Sequence, residues 1–135
     1  MSIEKINEIY SDFKNALARL KEALGEDLSK GSIVADGTIQ RFEFTFELAW
    51  KLSKAVLNHA GIESETPRLI IKEAFKVKMI EDGQGWIDML EDRNKTSHIY
   101  DAQQALEIYG KIKNSHFKLL EDFEKSMLTF IRDMG

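Results

Sequence analysis

The densest collection of chemically capable side chains in the sequence runs from Glu91 to Tyr100, where Arg93, Asn94, His98 and Tyr100 follow an apolar stretch. Arginine carries a permanent planar cation whose forked donors match phosphate, and histidine gives or takes a proton near neutral pH. Together they suit metal-independent work on a phosphodiester. Arg93 would stabilise charge developing at phosphorus, His98 would move a proton, and an RNA 2′-hydroxyl could be the nucleophile. Tyr100 adds a hydroxyl able to accept a transferred group and a ring able to stack on a base. At about 100° per residue, Asn94 and His98 share a face of a continuous helix, while Arg93 lies well round from His98. Convergence therefore requires the helix to unwind before His98, or the same segment of a second subunit to face it across a two-fold axis. In the purely structural alternative, Arg93 pairs with Asp92 or Asp88, His98 packs at the corner and Tyr100 covers the core.

A second polar group, Gln40, Arg41, Glu43 and Glu47, sits among aromatic residues. It either faces the corner or forms the solvated side of an amphipathic helix. With Asp92, Asn94 and Tyr100, Arg41 and Glu43 are the candidates for contacting a nucleotide or a partner. Asp88, Glu91 and Asp92 with His98, or Glu43 with Glu47, lack the paired Glu-x-x-His pattern of bundle di-metal sites, so neither a metal nor a cofactor is expected. His59 reads as a favourable cation at a helix C-terminus and His116 as a packed seam residue. There is no glycine-rich phosphate loop, nucleophile elbow or HExxH. The absence of cysteine removes thiolate nucleophiles, disulfides and Cys-ligated metals together.

These residues must be held by helices. The chain has 135 residues, with 43% hydrophobic and 31% charged content but one proline, which leaves few turning points and favours long regular elements in a single domain over residues 1–135. Ile3, Ile6, Tyr10, Phe13, Leu17, Leu20 and Leu24 form a three-four stripe that stops near Gly25. A second stripe, from Ile39 through Phe42, Phe46 and Ala49 to Ala60, ends at Gly61, and a further row of Phe44, Leu48 and Leu52 gives that helix more than one neighbour, within the chain or in another subunit. Thr66 and Pro67 open a short helix as N-cap and first residue. Gly83 and Gly85 then break the chain, and a fourth helix begins near Trp86. Asp101 and Gln104 have the spacing of a reciprocal cap, which places the corner at Thr96 to Tyr100 and starts a last, longest helix running to the C-terminus with Ala105, Ile108, Ile112, His116, Leu119, Phe123, Met127 and Phe130 in its seam. Four long helices and one short one make an all-α, antiparallel up-down four-helix bundle with one additional short helix. A net charge of −4 argues against broad electrostatic capture of nucleic acid while leaving room for a local basic site. No segment is apolar enough to span a bilayer and no basic-then-apolar leader opens the chain, so a cytoplasmic protein is expected.

The motif Arg93-Asn94-x-x-x-His98-x-Tyr100 resembles the Arg-x4-His-x-Tyr signature of the HEPN superfamily of small helical bundles. The stretch from Arg41 to Lys51, then Pro67-Arg68 with Glu73 to Phe75, then Trp86 to Asn94 and Thr96 to His98, resemble in order the nucleotidyltransferase substrate-binding protein family over most of the chain. The resemblance implies a homodimeric bundle that works with a separately encoded minimal nucleotidyltransferase and binds, or is, its substrate. Related pairs are toxin and antitoxin: the helical protein is a metal-independent ribonuclease, and its partner silences it by transferring AMP to the motif tyrosine. Carried over, Arg93 and His98 take the catalytic positions, Asn94 the polar position beside the arginine, and Tyr100 the acceptor. Lys95, Thr96 and Ser97 depart from the apolar residues that toxin-type members often carry before the histidine, and match the substrate-binding branch.

Overall fold

Three-four spacing of apolar residues dictates helices, and each cap in the sequence marks where one begins. The computed structural model describes residues 2–134, and every regular element among them is helical. Helix α1 spans Ile3–Leu24, opened by Ser2, whose hydroxyl accepts from the Lys5 amide, and it buries Ile6, Tyr10, Phe13, Leu17 and Leu20 as the stripe requires. A 3₁₀ turn at Leu28–Lys30 leads into α2, Ser32–His59. α2 begins ahead of the stripe that starts at Ile39. Its first turns hide from periodicity because Ile33 is exposed and Asp36 and Gly37 interrupt the apolar row, with only Ala35 and Thr38 buried there. Its end follows the Gly61 signal: Gly61 adopts φ +84°, the Ile62 amide donates to the Leu57 carbonyl and the Gly61 amide to that of Asn58, a Schellman closure.

Thr66 caps α3, Pro67–Lys76, by accepting from the Leu69 amide. Helix α4 spans Gly83–Lys95, so Gly83 and Gly85 lie inside its first turn instead of breaking the chain. Asp82 is the cap, its carboxylate accepting from the Gly85 amide at 2.8 Å. Glycine is needed there because a Cβ on Gly85 would stand 2.5 Å from Asp82 Oδ2 and 2.9 Å from Leu119 Cδ1. Gly85→Ala would gain about 1 kcal/mol of helix propensity but overpack this contact at a cost of about 1–3 kcal/mol. A net loss of stability is expected, read as a lower denaturation midpoint.

The last helical stretch is α5, Ala102–Lys111, then a π-helical segment, Ile112–His116, then α6, Phe117–Met134. The expected single helix is thus continuous but widened in its middle, and Gly135 lies outside the described residues. After the wide turn, Leu120 takes the buried place that spacing projects for Leu119, which is half-buried, while Phe123 and Met127 are buried as expected.

The long helices form the antiparallel up-and-down bundle, with α3 as the additional short helix. α2 is central, packing on α1, α3, α5 and α6. An aromatic chain ties it to the rest: Phe42 to Phe46, Phe46 to Trp86, Trp86 to Phe123 and Phe123 to Phe13, with centroids 5.1–6.3 Å apart. No helix among the described residues is long and apolar enough to cross a membrane.

Candidate functional site

Helix α4 ends at Lys95 and tightens into a 3₁₀ turn over Thr96–His98. The Thr96 hydroxyl donates to the Arg93 carbonyl at 2.6 Å and the Ser97 hydroxyl to that of Asn94 at 3.2 Å, so the polar residues before His98 satisfy carbonyls at the helix end. Beyond the turn, Asp101 caps α5 by accepting from the Gln104 amide at 2.9 Å, as its spacing predicts. Gln104 reaches back one residue further than a standard capping box, and its side-chain oxygen accepts from the Tyr100 amide at 2.8 Å. The backbone of Tyr100 is therefore held by the cap of the next helix.

That scaffold brings His98 and Tyr100 together. Tyr100 Oη lies 3.2 Å from His98 Nδ1, and both side chains face solvent, Tyr100 with 79% of its surface exposed. Arg93 is half-buried on the last turn of α4, Asn94 is exposed, and neither side chain is hydrogen-bonded or ion-paired among the described residues. The structural alternative in which Arg93 pairs with Asp88 or Asp92 is not what the fold adopts; its guanidinium remains available to an anion.

Asp92 has a different setting from the other motif residues. It is 1% exposed, and its carboxylate meets His116 Nε2 at 2.6 Å and Lys111 Nζ at 2.7 Å. This buried group binds the end of α4 to the last helix and presents nothing to a ligand. His116 occupies the packed seam position foreseen for it, stacked on Phe42 with centroids 5.6 Å apart. Burial pulls its pKa below 6.5, against the opposing pull of Asp92. A neutral ring with its proton on Nε2 donates to Asp92 and leaves Nδ1 as a bare acceptor, in accord with the unpartnered, buried Nδ1.

Arg41 does not join the corner. Its Nη1 donates to the Arg19 carbonyl at 2.7 Å and lies 3.6 Å from the Glu22 carboxylate, both on α1. The reason is helical phase: at about 100° per residue, Gly37, Gln40, Arg41 and Phe44 project from one side of α2, and Ser32, Ala35, Asp36 and Glu43 from the other. Glu43 is half-buried on that second side, without a hydrogen bond or ion pair among the described residues. Ser32, Ala35 and Asp36 line a cleft of about 530 Å³ whose far wall is Tyr100, Asp101 and Leu106. Periodicity could not show this cleft, which joins the start of α2 to the start of α5; the reciprocal cap at Asp101 and Gln104 was the one local signal pointing to it. No group of three His, Asp or Glu side chains among the described residues is arranged to hold a metal ion.

The family model described as nucleotidyltransferase substrate binding protein like matches residues 8–129. Among curated proteins, the sequence is similar to one from Haemophilus influenzae named Probable ribonuclease HepT, with 36% identity over 90 residues, 60% of this chain and 62% of that relative's length. Two solved structures share the fold. A Thermus thermophilus protein superposes with a TM-score of 0.70 at 31% identity, over 90% of this chain and 98% of its own. A Haemophilus influenzae protein, described as revealing the fold of a substrate binding domain of a nucleotidyltransferase, gives 0.67 at 21% identity, over 94% and 99%.

Proposed function

The chain belongs to the nucleotidyltransferase substrate binding protein like family, and on that basis we propose that it is the nucleotide- or substrate-binding subunit of a separately encoded minimal nucleotidyltransferase, acting in the cytoplasm as a homodimer through the Arg93–Tyr100 corner. The observation that carries this reading is the exposed Tyr100 hydroxyl beside His98 Nδ1, on a backbone pinned by Gln104. Such a hydroxyl is placed to be presented to another protein's active site. With ATP as donor, Tyr100 Oη would bond to the α-phosphorus, the bond to the pyrophosphate leaving group would break, and the phenolic proton would pass to His98 Nδ1. Arg93 and Asn94 would hold phosphate oxygens.

A second reading is favoured by the same two residues and by the similarity to a protein named as a probable ribonuclease. Here Arg93 and His98 cleave RNA without a metal, the two corners of a dimer together forming the site, and AMP on Tyr100 silences it.

Intact-mass spectrometry after incubation with ATP and a minimal nucleotidyltransferase, paired with an RNA-cleavage assay, tests both. A mass gain of AMP units on the native protein, absent from Tyr100→Phe, with loss of cleavage, is the outcome expected of the regulated ribonuclease. A stable complex without cleavage, whether or not AMP is gained, is the outcome expected of the binding subunit alone. If no complex, mass gain or cleavage is found, both readings fail.

A further inference from the structure

On the side of α2 turned away from the Tyr100 cleft lies a second depression, of about 420 Å³, between α1 and α2. Ala16 and Arg19 line it from α1, and Gly37, Gln40, Arg41 and Phe44 from α2. Its volume falls in the range of small-molecule sites, about 300–1,000 Å³, and its chemistry is unlike that of the corner. Phe44 is 63% exposed, although α2 buries Phe42 and Phe46 on either side of it. One exposed aromatic is unremarkable on its own; what matters is the company it keeps.

Arg19 has no ion pair among the described residues, and Arg41 commits only Nη1 of its guanidinium, to the Arg19 carbonyl and toward Glu22, leaving its remaining donors free. Gln40 is exposed and makes no hydrogen bond among the described residues, so its amide offers both a donor and an acceptor. Gly37 completes the set. A glycine in mid-helix costs about 0.5–1 kcal/mol relative to alanine, and here packing does not require it, because nothing lies within 4 Å of where its Cβ would stand. The missing side chain leaves open backbone on the same face of α2 as the exposed ring, about two turns before it. An aromatic platform, a base-edge reader and two guanidinium groups are the elements with which proteins hold unpaired bases and their phosphates.

We propose that this cleft is a nucleotide-binding subsite, with a base stacked on Phe44 over Gly37, the Gln40 amide at its edge and a phosphate between Arg19 and Arg41. Glu22, 3.6 Å from Arg41, is a carboxylate that opposes it. The ligand is a nucleotide unit, free or within a single strand. The inference stands apart from the corner, and the two fail separately: Tyr100→Phe leaves this cleft intact, and changes at Gly37 or Phe44 leave the corner intact.

The test is fluorescence anisotropy of the full chain with a labelled single-stranded RNA octamer, alongside calorimetric titration with AMP. Phe44→Ala, Gly37→Leu and Phe44→Trp are compared, with sedimentation velocity on the same samples. Phe44→Ala should weaken binding about tenfold or more. Gly37→Leu should do the same by filling the cleft, while Phe44→Trp should retain binding. With one phosphate held, log K should fall with log salt with a slope of about −0.7. AMP binding that depends on Phe44 identifies a free-nucleotide site, and RNA binding alone identifies a strand subsite; either supports the proposal. Unchanged affinity in both Phe44→Ala and Gly37→Leu overturns it, as does an absence of binding to either probe by the native chain. A change in self-association with affinity intact also overturns it, by making the face an interface between copies.

Discussion

Asp92→Ala is expected to lower the unfolding free energy by about 1–3 kcal/mol, measured by equilibrium urea denaturation. The carboxylate is the common acceptor for His116 and Lys111, and the space it fills is closed to water. Its removal strands a buried imidazole N–H and leaves the Lys111 ammonium without its partner. Exposed ion pairs elsewhere on the surface, such as Lys5 with Glu8, contribute about 1 kcal/mol or less, so the contrast between the two classes is itself a check. The same lock carries a pH signature. Because burial holds the folded-state pKa of His116 below 6.5, the unfolded chain binds more protons between the two values. The associated stability is complete above pH 6.5 and is lost as the pH falls through the folded value. Asp92, Lys111 and Asp88 are the charged groups that bear on His116, and His116→Gln should flatten this part of the profile.

On the ribonuclease reading, His98→Ala is expected to reduce RNA cleavage about 10²- to 10⁴-fold while leaving association with a nucleotidyltransferase largely unchanged. The side chain is exposed and its polar contact among the described residues is Tyr100 Oη, so its loss does not disturb the fold. Retained cleavage in the variant would remove His98 from the mechanism. Unfolding curves that superpose on those of the native chain would separate this effect from the one at Asp92, six positions earlier.

The helices were readable because their caps are local chemistry. Thr66 and Asp101 each accept from the amide three residues on, and Gly61 closes α2. Sequence spacing also places the corner at Thr96 to Tyr100, where the 3₁₀ turn lies, while leaving unwinding before His98 and a second subunit's segment as the two routes by which Arg93 and His98 could converge. What spacing does not carry is azimuth between helices. Arg41 and Glu43 are close in sequence, yet opposite sides of α2 take them, and Arg41 goes to α1. Asp92 looks like part of a reactive cluster in the chain and is a buried acceptor in the fold, because its partners, Lys111 and His116, come from the far side of a turn. The start of α4 was misplaced for a related reason: glycine at Gly83 and Gly85 reads as a break until Asp82 and Leu119 are seen crowding the second of them.

The π-helical segment, Ile112–His116, has a consequence for how the last helix serves two neighbours. α5 lies against α2 and α6 against α1, so the two halves of one rod must present their apolar rows at different angles. An unbroken α-helix has a fixed phase and would have to compromise between them. One surplus residue acts as a coupling that resets the phase, and the residue closing the wide turn is His116, the same one that grips Asp92. Indexing of the long helix and anchoring of the corner are thus a single mechanical joint, and a chain that lost the surplus residue would put its remaining seam out of step with α1.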